Sequence, residues 1–362
     1  MKDGRTFIIS EINGEDITSM NVSLDVLDTK KYILVSGLLY PDKDNAYKLS
    51  GDFSRYTNSY IKKLSAKQEE RIVIYNVNIL KGNITEIELY RNKQNIIKKT
   101  KFDSVSNEDY KGKNIDGNPN YRFFNLDKKI ISKRDIYKLI EDIGENETNT
   151  LCEVHIFSHA YFDGPILVNT QSDENDCDMR RSDIINRIFD MTKFQNAFSN
   201  NGIVKIWGCS FPPATNTLYS KFRNNSSYKK ENKTDDTIFK FPKNTLWYYK
   251  NNVQHTDLTS LINNALNTEY KVNEDVELTF LDIKKILRYN FLNTYASILA
   301  LYSTISVIAA LPATYSNTTS QMKISPDTLE NAKMFQNMFN IKLDKDNFGI
   351  FDYETVNELQ TF

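Results

Sequence analysis

The sequence predicts an α/β fold: a mostly parallel central sheet flanked by helices, with an N-terminal β-rich extension. Short apolar runs alternate with helical periodicities from residue 71 onward, the rhythm of strand–helix–strand units. Two of those runs, 152–158 and 203–207, read as short apolar strands, and strands of this kind alternating with helices argue for a largely parallel sheet. The 21 Tyr and 21 Phe supply ample surface for a core of this size.

Along the chain, residues 6–12, 20–27 and 32–39 alternate apolar and polar positions, the period of half-buried strands. Asp42-Lys43-Asp44-Asn45 breaks that pattern, 54–70 is polar enough for a surface helix, and 71–77 reads as a strand entering a core. Ser132 stands as an N-cap before Ile136, Tyr137, Leu139, Ile140 and Ile143, whose spacing is helical. Strand 152–158 follows a polar turn. Ile184, Ile185, Ile188, Phe189, Phe194 and Phe198 then form a helical face, stopped by Asn200-Asn201-Gly202 ahead of strand 203–207. A helix over 281–302 and a strand over 305–311 complete the series. The polar stretch 224–236 reads as a mobile surface loop open to cleavage or insertion. These elements divide into a β-rich region at 1–70, an α/β catalytic domain at 71–316 and a helical segment at 317–362.

Composition excludes several classes. With 46 Lys+Arg against 47 Asp+Glu the net charge is −1, which offers no basic footprint for a phosphate backbone. Three cysteines, at 152, 177 and 209, are too few for a disulfide scaffold, so a reducing compartment is expected. Glu11 and Asn13 interrupt any apolar signal region, so a cytoplasmic protein is expected, or one exported without a signal peptide. The nearly uncharged run 291–313 is long enough to span a bilayer. Its polar break at Ser303-Thr304 favours a buried helix and strand instead. Phosphate-binding and dinucleotide glycine motifs are missing, and no cofactor is expected. His155 and His159 lie four residues apart on a strand, about 13 Å, too far to share a metal. Asp344-Lys345-Asp346 begins like a calcium loop, but Phe348 takes the fifth position and Glu354 falls one short of the twelfth.

The chemistry concentrates at two strand ends. His159 follows strand 152–158, and Cys209 follows strand 203–207 through Gly208. If the two strands are parallel neighbours, both side chains emerge at one sheet edge, where α/β folds place their sites. A cysteine with a pKa of about 8.5 is mostly protonated at neutral pH, so an adjacent imidazole that takes its proton makes it a nucleophile. The backbone N–H of Cys209, flanked by Gly208 and Ser210, is a candidate oxyanion donor, and the turn after His159 would supply the second.

An apolar strand ending in Ser158-His159, an Asp163-Gly164 turn, a return strand over 165–168, an amphipathic helix and an apolar strand ending in Gly208-Cys209 resemble the caspase-like cysteine peptidases. The 50-residue step from His159 to Cys209 agrees with that group. The resemblance implies a caspase-like fold over residues 71–211, Cys209 as nucleophile, His159 as general base and then acid, and oxyanion donors at Cys209 and Ala160. It also implies a protein or peptide substrate. Ala160 departs from the Gly usual after the histidine, and Ala does not share glycine's freedom at positive φ.

The mixed-charge segment 173–181 follows the return strand, where this fold places specificity loops. It reads as a solvated loop, as a wall of the substrate pocket or as a cation site; as a pocket wall, together with Asp163 and Ser210, it would supply the substrate contacts. Arg180 or Arg181 would suit an acidic substrate residue, and Asp176 or Asp178 a basic one. Cys177 lies in the same segment. Cys152 and His155 read as core, and His255 as surface.

The phrases at 156–170, 206–209 and 311–316 are similar to uncharacterised bacterial proteins that accompany contact-dependent or type VI secretion genes. That likeness implies a toxin that meets a secretion machine and an immunity protein. Residues 348–356 are faintly similar to a peptidoglycan-binding repeat, against a simple docking helix. Two alternatives stand beside the peptidase: a cell-wall amidase or other acyl-hydrolase effector with the same dyad, and a non-enzymatic interaction module on the same fold.

Overall fold

A computed structural model describes residues 29–39, 51–66, 71–79, 81–89, 96–100, 131–167, 178–210, 212–250, 254–317 and 322–361. Eight strands form the central sheet: β1 (Lys30–Ser36), β2 (Ile72–Asn78), β3 (Asn83–Leu89), β4 (Ile96–Thr100), β5 (Leu151–Phe157), β6 (Phe198–Ile206), β7 (Ser306–Ala309) and β8 (Gly349–Phe351). Their spatial order is β8-β7-β6-β5-β1-β2-β3-β4. The five strands from β7 to β2 run parallel; β8 on one side and β3 on the other run against them, and β4, antiparallel to β3, runs with the five again. The chain moves outward from β1 to β2 and then returns to lay β5 on the other side of β1. That reversal opens a crevice beyond the strand C-termini.

The sheet is covered on both faces. Ile33 and Val35 of β1 pack into the main core with Ile136 and Ile140. Tyr32 and Leu34 pack on the opposite face with Leu64 of helix Ser54–Ser65. This corrects two expectations. The strand assigned to a separate region at 1–70 lies inside the sheet, so a boundary at 70/71 would cut β1 from β2. The segment 317–362 contributes β8 as well as helices Pro326–Phe339 and Tyr353–Thr361. The expected strands at 6–12 and 20–27 lie outside the described residues.

Local signals set the helix starts. Helix Lys133–Asn146 opens on a capping box between Ser132 and Asp135, and helix Phe280–Leu292 on one between Thr279 and Asp282. The expected helix at 281–302 is two, because Thr294 caps a second helix, Tyr295–Ser303, and donates back to the Phe291 carbonyl at 2.9 Å. The periodic face at 184–198 divides between Arg181–Ile185 and Met191–Ala197, the latter capped by Asp190. The stretch 224–236 holds a 3₁₀ turn, Ser226–Lys229, pinned by Ser227 to the Ile238 carbonyl at 2.7 Å. Among the described residues, no helix is long and apolar enough to cross a membrane.

Two polar clusters tie the layers together. Lys205 of β6 is buried, reaches Asp344 and Asp346, and lies 3.8 Å from the centre of the Trp207 ring. Asp344 also accepts the N–H groups of Asp346 and Phe348, so this turn closes on a lysine ammonium. His155 is core, as expected. Its Nδ1 accepts from Trp207 Nε1 at 2.9 Å, so its Nε2–H donates to Glu153 at 2.6 Å. Burial lowers its pKa, and Glu153 opposes that shift.

Candidate functional site

β5 and β6 are parallel neighbours in register, with Val154 beside Val204 and Ile156 beside Ile206. The pairing continues one residue further, where the Trp207 N–H donates to the Ile156 carbonyl at 3.0 Å. Both strands therefore release their chains at the same edge, His159-Ala160 from one and Gly208-Cys209 from the other. Past β5 the chain forms a hairpin, His159–Tyr161 against Gly164–Ile166, where the return strand was expected at 165–168.

Glycine is required where the two chains meet. A Cβ on Gly208 would lie 2.3 Å from the Ala160 Cβ and 2.6 Å from the Ala160 backbone nitrogen. One on Gly37, at the end of β1, would lie 2.7 Å from the Ser158 Cβ. Both distances are far below van der Waals contact. The absence of a side chain at 208 leaves room for the Ala160 backbone nitrogen to come close to this turn. Ala160 itself sits in an extended strand and is not among the residues at positive φ. The position after the histidine thus makes no demand that only glycine meets, and alanine is accommodated there.

Cys209 is a free, half-buried thiol whose sulfur lies 3.9 Å from the Ser316 hydroxyl oxygen. Burial pushes the thiol pKa up from its ordinary value. The backbone N–H and hydroxyl of Ser316 act against this shift by donating to the sulfur. At neutral pH the resting group is the thiol. Removing one donor should raise the pKa further, so Ser316→Ala is expected to move the alkylation midpoint of Cys209 to higher pH. An unchanged or lower midpoint in a pH series of iodoacetamide rates would refute the role given to that hydroxyl. Ser316 was not anticipated from the sequence; it lies beyond the C-terminus of β7, at the edge where parallel sheets place their sites. The segment 313–316 is held to the cysteine strand by Ser210 N–H donating to Thr314 at 2.9 Å and Ala313 N–H donating to Ser210 at 2.6 Å. Ala313 adopts φ +64°, a left-handed conformation that costs an alanine about 1–2 kcal/mol. The His159 ring stands edge-on to Phe53, 5.4 Å between centres.

The charged residues expected to read the substrate are largely occupied with one another. Asp178 is fully buried and 3.6 Å from Arg180, so it presents no carboxylate to a ligand. Arg180 also approaches Asp163 at 3.9 Å. Arg181 binds Asp163 through Nε at 2.7 Å and donates from Nη1 to the Asn293 carbonyl at 2.8 Å. These pairs clamp the His159 hairpin against helices Arg181–Ile185 and Tyr295–Ser303, as does the Tyr295 N–H donating to Phe162 at 2.7 Å. Gly164 at the hairpin turn has φ +143°, and a Cβ there would strike the Met179 carbonyl at 2.2 Å. Ser210 is buried and serves through its backbone. Asp176 and Cys177 lie outside the described residues.

Two cavities border this edge. A small one of about 20 Å³ is lined by Cys209, Gly208, Ala160 and Tyr295 among others. A larger one of about 360 Å³ shares Tyr161, Phe162 and Ser210 with it and extends toward Arg181, Leu261 and Tyr289. Among the described residues, no group of three or more His, Cys, Asp and Glu is placed to hold a metal ion. In comparisons with protein-family models, curated proteins and solved structures, the chain matches none.

Proposed function

We propose that this chain is a cysteine hydrolase that cleaves peptide bonds through a Cys209–His159 dyad, on a sheet arranged as in the caspase-like peptidases. The observation that supports the reading is the close approach of Gly208 to Ala160 at the ends of parallel neighbours, which brings together the chain segments that carry Cys209 and His159. Sγ of Cys209 attacks the substrate carbonyl carbon as the thiol proton passes to His159, and the carbonyl electron pair moves onto oxygen. The backbone N–H groups of Cys209 and Ala160 receive that oxyanion. The tetrahedral intermediate collapses to a thioester, the C–N bond breaks, and the imidazolium returns its proton to the departing amine. Water, deprotonated by His159, then cleaves the thioester. Because burial keeps the resting thiol protonated, the imidazole acts during attack rather than as a standing ion pair.

Iodoacetamide is expected to alkylate Cys209 at neutral pH well ahead of Cys152 and Cys177, by peptide mass mapping. That selectivity should be lost in His159→Ala. Slow alkylation of all three at similar rates, unchanged by the substitution, would exclude the dyad.

A further inference from the structure

We infer that the 360 Å³ cavity beside Ser210 receives an uncharged aromatic or aliphatic side chain, that of the residue supplying the acyl group. The inference rests on the hydrolase reading, since it places the substrate's acyl side against the chain that follows Cys209. Position argues first. Ser210 directly follows the cysteine and Tyr161 and Phe162 closely follow the histidine, and all three line this cavity. A carbonyl held at Cys209 therefore carries its side chain toward it.

Charge argues second. Among the described residues of the lining, Arg181 is the only charged one, and Asp163 at 2.7 Å balances it while Asn293 takes a further N–H. An acidic side chain would have to compete with Asp163 for that guanidinium. A basic one would meet a like charge. Either would lose its hydration without gaining a matched partner.

Surface argues third. Tyr161 and Tyr289 are large aromatic residues left 39% and 40% exposed, and they face this cavity with Phe162 and Leu261. Covering them releases water from apolar surface, and a flat ring or branched chain does so best. The volume lies within the range of sites that enclose a small ligand.

Four peptidyl acyloxymethyl ketones, alike except for Phe, Leu, Asp or Lys beside the ketone, test this. Each forms a thioether with Cys209 by displacing a carboxylate, so intact-mass kinetics give a rate for each. Phe and Leu are expected to react at least about tenfold faster than Asp and Lys. Asn264→Asp adds a charge to the exposed cavity rim without changing side-chain size, and it should raise the Lys rate several-fold relative to Phe. Equal rates across the set, or a lead for Asp or Lys in the unsubstituted protein, would overturn the assignment. Iodoacetamide with His159→Ala separates this result from the dyad. A flat ketone series with His159-dependent alkylation removes the cavity's role and keeps the hydrolase. A graded series with His159-independent alkylation keeps the cavity's preference and removes the dyad.

Discussion

Replacing His159 by alanine is expected to lower kcat/KM for peptide hydrolysis by about 10²–10⁴-fold, the usual worth of a positioned general acid–base. The reason lies in the state of the nucleophile. A buried thiol with a raised pKa offers less thiolate at neutral pH than a free cysteine, so the proton must leave during attack. The fold should tolerate the change, because His159 is a half-buried residue at the sheet edge, where its ring stands edge-on to Phe53. Steady-state kinetics on a fluorogenic peptide, with circular dichroism to confirm folding, measure both. A folded His159→Ala protein within about threefold of the parent would show that the histidine takes no proton in the reaction. Cys209→Ser supplies the complementary test, since a serine hydroxyl in the same place is far harder to deprotonate.

Lys205→Met is expected to cost about 3–5 kcal/mol of stability. The lysine side chain is 6% exposed, and Asp344 and Asp346 beside it are 11% and 9% exposed. Methionine keeps much of the volume but leaves two nearly buried carboxylates without their cation. It also removes the ammonium from the face of Trp207. Chemical denaturation measures the loss. Combining Lys205→Met with Asp344→Asn and Asp346→Asn should recover much of it, because neutral groups of similar shape remove the desolvation problem. A single-variant loss below about 1 kcal/mol, or no recovery in the triple variant, would place the carboxylates in water. In the same cluster, the cation that meets Asp344 and Asp346 is the Lys205 ammonium of β6.

Much of the fold was legible in the sequence. The periodicity of 136–143 and the cap at Ser132 marked one helix, and the runs at 152–158 and 203–207 marked β5 and β6. The misplacement of β1 has a definite cause. Tyr32-Ile33-Leu34-Val35 is a continuous apolar run inside a longer alternating stretch, and it was taken with the half-buried strands around it. The structure covers both its faces, as a central parallel strand requires. Of the candidate site, Cys209 and His159 stood out because each lies just beyond an apolar strand. Ser316 and Phe53 did not, because nothing local marks a serine or phenylalanine that meets a residue over a hundred positions away. The charges at 178–181 were visible, but their pairing was not. Sequence shows that Asp178, Arg180 and Arg181 are charged, while only the packing of the hairpin shows that they neutralise one another and Asp163.

The sequence alone marked the capped start at Ser132 and the apolar runs that became β5 and β6, because caps, turns and apolar periods act between residues within a few positions. Three distant contacts belong to the folded chain: β5 beside β6, Gly208 against Ala160, and Ser316 against the Cys209 sulfur. Each depends on which surfaces bury one another across gaps of roughly 50 to 110 residues. Such choices arise from the sum of the whole core rather than from any local pattern. For that reason the chain segments that carry Cys209 and His159 came together only in three dimensions.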